Sequence, residues 1–314
     1  MNPSIEAKNL SKRYGSLIAL DSLNLKIEGP KCVGFLGPNG AGKTTTLKIF
    51  CDMIRASSGE AYLNGIEISK NKKRALESCG VLIESPEIYP SLTAKEALTM
   101  FAEIKQIPKG ERRKRVEEVG AQVRMSEWMD KKFGEFSRGM KQRINIAAAL
   151  LNDPDILLLD EPTTGLDPRG MIEVRAMISS IKQEKCKLIF MSSHLLNEVS
   201  ELCDEIAMID KGRLLSYDTV HNITSQFAEG SRAVDVSFSK PVELALIKSA
   251  LSDIQTLSIE KLDQRNIRIR FSGDLRSQES IVSHLVASGL VFVSFKVSSS
   301  ALEDAYLQLI SETV

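Results

Sequence analysis

Long apolar runs and paired cysteines are both missing from this sequence. The longest apolar runs, such as Ala147 to Leu151, are too short to cross a bilayer, and the N-terminal segment MNPSIEAKNL has no apolar signal core. We therefore expect no direct insertion into a membrane. The cysteines are widely spaced and include no CxxC pair, which argues against a disulfide framework or a metal cluster and favours a reducing cytosol.

An excess of charge is missing as well. The 41 Lys and Arg residues balance 41 Asp and Glu residues, so no net charge attracts nucleic acid or anionic lipid. The basic stretch Lys109–Arg115 lies beside Glu117 and Glu118 on a helical pattern without interleaved aromatic residues. This pattern favours a solvated helix face, and we expect no nucleic acid partner. Apolar residues at 43% and charged residues at 26% are typical of a soluble globular protein.

The first two thirds of the chain has the pattern of an α/β domain. Alternation at Ile5–Lys8 and Leu23–Ile27 predicts half-buried antiparallel strands, and the region 93–152 has a helical period. Short apolar strands then alternate with helices, which predicts a mostly parallel sheet covered on both faces. The predicted strands are 31–36, 156–160, 187–192 and 205–210, and the predicted helices are 168–184 and 195–203.

A second, smaller unit is predicted at the C-terminal end. Residues 219–232 are polar and lack periodicity, so we place a boundary there and assign 1–222 to the first domain and 223–314 to an accessory domain. The accessory domain has the element order βαββαβ, which is typical of a ferredoxin-like α+β fold, followed by a helix at 302–310. It contains no catalytic cluster, and both a packing role and a dimer-stabilising or regulatory role stay open.

The residues 37–44 match the pattern GxxxxGK[ST] between a predicted strand and a predicted helix. Glycines in this context let backbone N–H groups surround phosphates at a helix N-terminus. We expect Lys43 to reach the β- and γ-phosphates and Thr44 to bind Mg²⁺. The predicted nucleotide-binding residues of this phosphate loop are Gly37, Pro38, Asn39, Gly40, Ala41, Gly42, Lys43, Thr44 and Thr45.

The apolar strand at 156–159 ends in two acids, Asp160 and Glu161. Two acids at a strand end are a weak indication of a catalytic site when they occur alone. They are a strong indication when the chain also has a phosphate loop. Asp160 is then placed to bind Mg²⁺ through oxygen. Glu161 is placed to orient and deprotonate the attacking water, a role worth about 10²- to 10⁴-fold in rate.

These motifs, in this order, resemble the ATPase subunits of ABC transporters across residues 4 to about 220. FSRGMKQR at 136–143 resembles the family's signature motif, and Asp167 lies in a segment similar to its D-loop. His194 resembles the switch histidine, and Tyr14 resembles the aromatic residue that stacks on adenine. The resemblance implies a P-loop ABC ATPase fold with an antiparallel β subdomain and a helical subdomain at about 92–152. It also implies a homodimer in which Ser137 and Gly139 bind the γ-phosphate of ATP held by the partner.

Two positions depart from the family pattern. The signature usually reads LSGGQ, whereas this chain has FSRGM at 136–140. Glu84 stands where the family has a glutamine, and Leu82–Pro86 with Tyr89 resembles ATPases of bacitracin-resistance and lantibiotic-immunity exporters. The resemblance implies that Glu84 is a catalytic, magnesium-sensing and coupling residue, and that the loop around Glu84–Tyr89 contacts a membrane permease.

The expected protein is therefore a cytoplasmic ATPase, peripheral on the inner face of the cell membrane. It dimerises around two Mg-ATP and drives a separate ABC-2-type permease, and the resemblance favours export of a peptide antibiotic or a similar amphipathic substrate. Two alternatives stay open: a soluble ABC ATPase in a process other than transport, and an ATP-dependent nucleotide sensor. The substrate itself is not readable here, because the permease would hold that site.

Overall fold

The structure, a computed structural model, describes residues 2–83, 88–184, 187–228, 232–252, 254, 256–271, 275–298, 302 and 306. The chain divides into two compact units, Met1–Val220 and His221–Val314. The prediction for Glu84 lies outside the described residues, and so does most of the predicted helix at 302–310. No described helix is long and apolar enough to cross a membrane.

The first unit contains two sheets and seven α-helices among its described residues. Its strands are β1 Ser4–Tyr14, β2 Leu17–Glu28, β3 Lys31–Leu36, β4 Ser58–Leu63, β5 Ile66–Glu67, β6 Cys79–Leu82, β7 Ile156–Asp160, β8 Leu188–Ser193, β9 Glu205–Asp210 and β10 Arg213–Thr219. Its helices are α1 Lys43–Phe50, α2 Lys72–Glu77, α3 Ala94–Ile104, α4 Lys109–Gln122, α5 Arg138–Leu150, α6 Pro168–Glu184 and α7 Leu196–Leu202. Short 3₁₀ helices form at Ser126–Trp128 and Phe133–Glu135.

The central sheet has the strand order β10-β9-β3-β8-β7-β6. All neighbours are parallel except the pair β10 and β9, so the predicted mostly parallel sheet is confirmed. Residues 156–159 of β7 are fully buried, as expected for a strand covered on both faces. The register pairs Leu36 with Ser193 and Asp160 with Ser192. The carboxyl ends of β3, β7 and β8 therefore meet at one edge.

The second sheet of this unit has the order β2-β1-β4-β5 and is antiparallel. Strands β1 and β2 are longer than the alternation predicted. The register between them shifts at three places from Ala7 to Arg13, and each shift breaks the period-two pattern that the sequence prediction depends on. The hairpin ends with Tyr14 opposite Leu17.

The helical part of the first unit comprises α3, α4 and α5. Phe133 and Phe136 are buried with ring centroids 5.9 Å apart, so they pack this region. The basic stretch in α4 is only partly a solvated face. Arg115 is 15% exposed and donates through Nε to the Leu151 carbonyl oxygen at 2.7 Å, where it satisfies the C-terminal end of α5.

The second unit is a four-stranded antiparallel sheet with helices on it. Its elements are α8 Val220–Ala228, β11 Arg232–Phe238, α9 Leu244–Ala250, β12 Thr256–Lys261, β13 Asn266–Phe271, α10 Leu275–Ala287 and β14 Phe292–Ser298. The strand order is β12-β13-β11-β14. One face of the sheet and the two helices α9 and α10 share a buried core that includes Val234, Ile269, Ile247 and Ile281. The ferredoxin-like assignment of this unit stays a prediction.

Candidate active site

Two glycines of the phosphate loop lie where no larger residue fits. A Cβ atom on Gly37 would lie 2.4 Å from the Ile209 carbonyl oxygen. Gly42 has φ 107°, and a Cβ atom there would lie 2.6 Å from the Ala19 carbonyl oxygen. The loop is therefore packed tightly against β2 and β9, and this packing holds the N-terminus of α1 at the carboxyl edge of the central sheet.

Lys43 is buried at the first position of α1. Its Nζ atom donates to the carbonyl oxygens of Gly37 at 2.8 Å and Pro38 at 3.1 Å. The same atom lies 3.6 Å from Glu161 Oε1. Burial lowers the pKa of the Lys43 ammonium, although the negative charge of Glu161 opposes that shift. The Lys43 ammonium therefore binds the carbonyl groups of its own phosphate loop and lies beside the Glu161 carboxylate.

Glu161 is held by three polar contacts just after β7. Its N–H donates to Ser192 Oγ at 2.9 Å, and its Oε2 accepts from Thr164 Oγ1 at 2.9 Å. Its Oε1 lies 3.2 Å from His194 Nδ1. Burial raises the pKa of this carboxyl, but the hydrogen bonds from Thr164 and His194, with the charges of His194 and Lys43, outweigh burial and lower it overall. A base in this position stays ionised.

Asp160 lies one residue before Glu161 and shares a partner with it. Asp160 Oδ1 accepts from Ser192 Oγ at 2.5 Å, and the same hydroxyl accepts from the Glu161 N–H. The structure therefore brings the predicted Lys43, Asp160, Glu161 and His194 into one cluster. Ser192 was not predicted. It is visible only once β7 and β8 are known to be neighbours.

A cavity of about 260 Å³ opens beside this cluster. An apolar wall from the β1–β2 hairpin faces the polar loop across it, which suits a ligand with a flat apolar part and an anionic part. The lining residues are Tyr14, Leu17, Ile18, Ala19, Asn39, Gly40, Gly42, Lys43, Thr44, Thr45 and Glu161. The sequence analysis did not predict residues 17–19 as part of the site, although they directly follow the turn after Tyr14.

The signature residues lie in a different place. Ser137 is the N-cap of α5, where its side chain accepts from the Met140 N–H at 3.2 Å. Gly139 packs against Gly170, and Asp167 Oδ1 accepts from the Gly170 N–H at 3.3 Å. Among the described residues, neither Ser137, Gly139 nor Asp167 lines the cavity.

Oxygen donors for a metal are few at this edge of the sheet. In the described part of the chain, no group of three or more His, Cys, Asp or Glu residues is placed to hold a metal ion. Thr44 lines the cavity, and Asp160 acts electrostatically on the neighbouring Lys43. This donor set fits an ion that takes its other ligands from a bound phosphate, which is the usual mode for Mg²⁺.

Comparison with known proteins identifies the family of this chain. Residues 20–164 match the family model described as ABC transporter. The chain is 35% identical over 310 residues to the bacitracin transport ATP-binding protein BcrA of Bacillus licheniformis, which covers 99% of this chain and 98% of that protein. It is 29% identical to the linearmycin resistance ATP-binding protein LnrL of Bacillus subtilis over 99% of each chain.

A solved structure gives the same result for the fold. The dimeric ATP-binding cassette MJ0796, in a post-hydrolysis state bound to ADP and Pi, superposes with a TM-score of 0.61 at 26% identity. It covers 69% of this chain and 98% of its own. The α/β fold of a P-loop cassette with a mixed sheet is thereby confirmed.

Proposed function

This chain belongs to the ATP-binding subunits of ABC transporters, and from that premise we propose that it hydrolyses Mg-ATP at the Lys43–Glu161–His194 cluster to drive export through a separate permease. As a family member it is an ATPase and drives a membrane permease. The observation that carries the finer proposal is the contact of Glu161 with both Lys43 and His194 at one cavity. Hydrolysis needs a general base in that position to activate the attacking water.

The chemistry divides among six side chains. Lys43 exchanges its contacts with its own loop for the β- and γ-phosphates, and Tyr14 stacks on the base. Glu161 accepts the proton of the attacking water, while His194 orients the Glu161 carboxylate through the 3.2 Å contact. Thr44 and Asp160 would hold Mg²⁺, which when bound neutralises charge on the phosphates.

The dimer completes the site. ATP-binding subunits of this family dimerise, as the cassette MJ0796 does. We assign Ser137, Gly139 and Asp167 to the contact with ATP in the partner. Ser137 is exposed at the N-terminus of α5, where backbone N–H groups and the helix dipole favour an anion. Two copies of the chain would then enclose two nucleotides.

The permease contact is assigned to the loop around Glu84–Tyr89, on the cytoplasmic side of the membrane. Tyr89 is 69% exposed. Beside the end of β6, a groove of about 240 Å³ is lined by Val81, Leu82, Phe101 and neighbouring residues. An apolar helix of the permease fits a groove of this kind. By analogy with BcrA and LnrL, whose names state bacitracin transport and linearmycin resistance, the exported substrate is an amphipathic antibiotic.

The first prediction tests the hydrolytic base. Glu161→Gln keeps the shape of the side chain and removes its basicity, so ATPase activity should fall about 100-fold or more while ATP binding persists. Dimers should then accumulate with ATP in size-exclusion chromatography. The matched control is Glu127→Gln, at an exposed carboxylate outside the cavity. Parental hydrolysis by Glu161→Gln would overturn the assignment of the base.

The proposed coupling to a permease is tested by purifying the chain together with its partners. A membrane protein without its own cassette, encoded next to this chain, should co-purify with it and change its ATPase rate. Hydrolysis with no such partner would favour a process other than transport. A chain that binds ATP without hydrolysing it would favour a nucleotide sensor.

A further inference from the structure

Glu198 is a buried carboxylate outside the cavity. It lies in α7 and is 1% exposed. Its Oε1 accepts a hydrogen bond from Thr163 Oγ1, and its Oε2 accepts one from Ser193 Oγ at 2.7 Å. Arg175 Nε on α6 lies 4.0 Å from Oε1. Both carboxylate oxygens are therefore occupied by hydroxyl donors.

Packing alone does not explain an acid at this position. Val199 and Leu202, on the same side of α7, are buried apolar residues that continue the core. A leucine at 198 would satisfy that face at no electrostatic cost, whereas a buried carboxylate is destabilising unless every oxygen is hydrogen-bonded. Both carboxylate oxygens of Glu198 are hydrogen-bonded. We take this to mean that Glu198 serves to hold its two hydroxyl partners in place.

The two hydroxyl partners lie in, or directly before, the two turns that carry the reacting groups. Thr163 lies two residues after Glu161 and next to Thr164, which donates to the Glu161 carboxylate. Ser193 lies directly before His194, and its hydroxyl also accepts from the Leu195 N–H at 3.0 Å. Glu198 thus joins the turn after β7 to the turn after β8.

We propose that Glu198 is a positioning residue that joins these two turns and so keeps His194 against Glu161. Glu198 itself touches neither nucleotide nor water, and the inference rests on the proposed hydrolytic function. Glu161 Oε1 and His194 Nδ1 lie 3.2 Å apart, and this distance depends on the position of one turn relative to the other. A misplacement of about 1 Å at reacting groups can cost on the order of 10²-fold in rate.

The second prediction tests this role with an isosteric change. Glu198→Gln replaces one acceptor oxygen by an amide N–H₂ donor, which then faces a hydroxyl that was donating. One of the two links is weakened, and kcat should fall about 10-fold or more, while KM and the equilibrium ATP affinity stay within about threefold. Thr163→Val should do the same from the other side of the link. Thr163→Ser, which restores the hydroxyl, should recover at least about half of the parental kcat.

The matched control is Glu201→Gln on the same helix. Glu201 is exposed and pairs with Arg175 Nη1 at 2.9 Å, so it shares a partner with Glu198 but touches neither turn. Its kcat should stay within about twofold of parental, as expected for an exposed ion pair. All variants are measured as full-length chains, and the unfolding temperature of each is recorded in the assay buffer.

The outcomes separate the two proposals. If Glu198→Gln keeps kcat within about twofold while its unfolding temperature falls, Glu198 is only structural and the inference is overturned. A parallel loss of ATP affinity and kcat overturns it as well, because a positioning residue leaves binding intact. If Glu198→Gln does not fold, the contrast between Thr163→Val and Thr163→Ser decides. If Glu161→Gln hydrolyses at the parental rate, the proposed function fails, independently of Glu198.

Discussion

The backbone of Glu161 is left-handed, with φ 44°. A residue other than glycine in this region costs roughly 1–3 kcal/mol, so the surrounding contacts must hold it there. They are the N–H bond to Ser192 and the carboxylate contacts to Thr164 and His194. The side chain is thereby fixed before any ligand arrives, and little reorganisation remains for the reaction.

The third prediction concerns a single glycine of the phosphate loop. Gly42→Ala should lower the free energy of unfolding by about 2 kcal/mol or more and strongly weaken ATP binding, since it combines strain at φ 107° with a clash at the Ala19 carbonyl. The control is Gly65→Ala, which has φ 72° but open space around its Cβ. It should lose only about 1 kcal/mol and keep parental ATP affinity. Urea unfolding and nucleotide titration measure both quantities, and equal losses in the two variants would contradict the steric argument.

The helices α3 and α5 both begin with a side-chain cap, and of these two caps only the cap of α5 is assigned a second role. Ser137 caps α5 by accepting from the Met140 N–H. Thr93 caps α3 in a capping box with Glu96. Both caps satisfy free N–H groups in the first turn of the helix. Of these two helices, only α5 would contact a phosphate of the partner's ATP in the proposed dimer.

The fourth prediction uses this pair of caps. Ser137→Ala and Thr93→Ala should each cost about 1 kcal/mol of stability in chemical unfolding. Only Ser137→Ala should also reduce ATP-dependent dimerisation, measured in a Glu161→Gln background that slows hydrolysis. Loss of dimers in both variants would mean that general stability, rather than the hydroxyl of Ser137, controls dimerisation.

At the scale of the whole molecule, the site residues belong to one of the two units. The cavity lining extends from Tyr14 to Glu161, and His194 also precedes the division at Val220. The second unit has a buried core of its own, around Val234 and Ile269. We therefore expect ATP binding to be a property of the first unit.

The fifth prediction is that a fragment of residues 1–228 keeps this property. The fragment ends after α8, so the buried Ile223 is retained. It should unfold cooperatively and bind ATP with an affinity within about twofold of the full chain, because compact units with their own cores fold alone. Circular dichroism and nucleotide titration measure the two outcomes. A tenfold loss of affinity, on the order of 1.4 kcal/mol, would show that the second unit contributes to the site.

The sequence by itself determined which residues are proposed to carry the chemistry. A glycine loop before Lys43, and two acids at a strand end, are local patterns whose spacing reflects local geometry. It also predicted the alternation of strands and helices, because a strand buried on both faces reads as a continuous apolar run. The bulged strands β1 and β2 were read too short, since each register shift interrupts the alternation.

Only the tertiary structure decided which of these segments meet. Leu36 pairs with Ser193, and Asp160 pairs with Ser192, across long separations in the chain. Those pairings place His194 against Glu161, and they allow Ser192 and Glu198 to hold both turns. The one local hint was that Glu198 falls on the apolar side of its helix. Its partners were not readable, because strand order in a parallel sheet is set by packing across the whole core and leaves no mark in the spacing of residues along the chain.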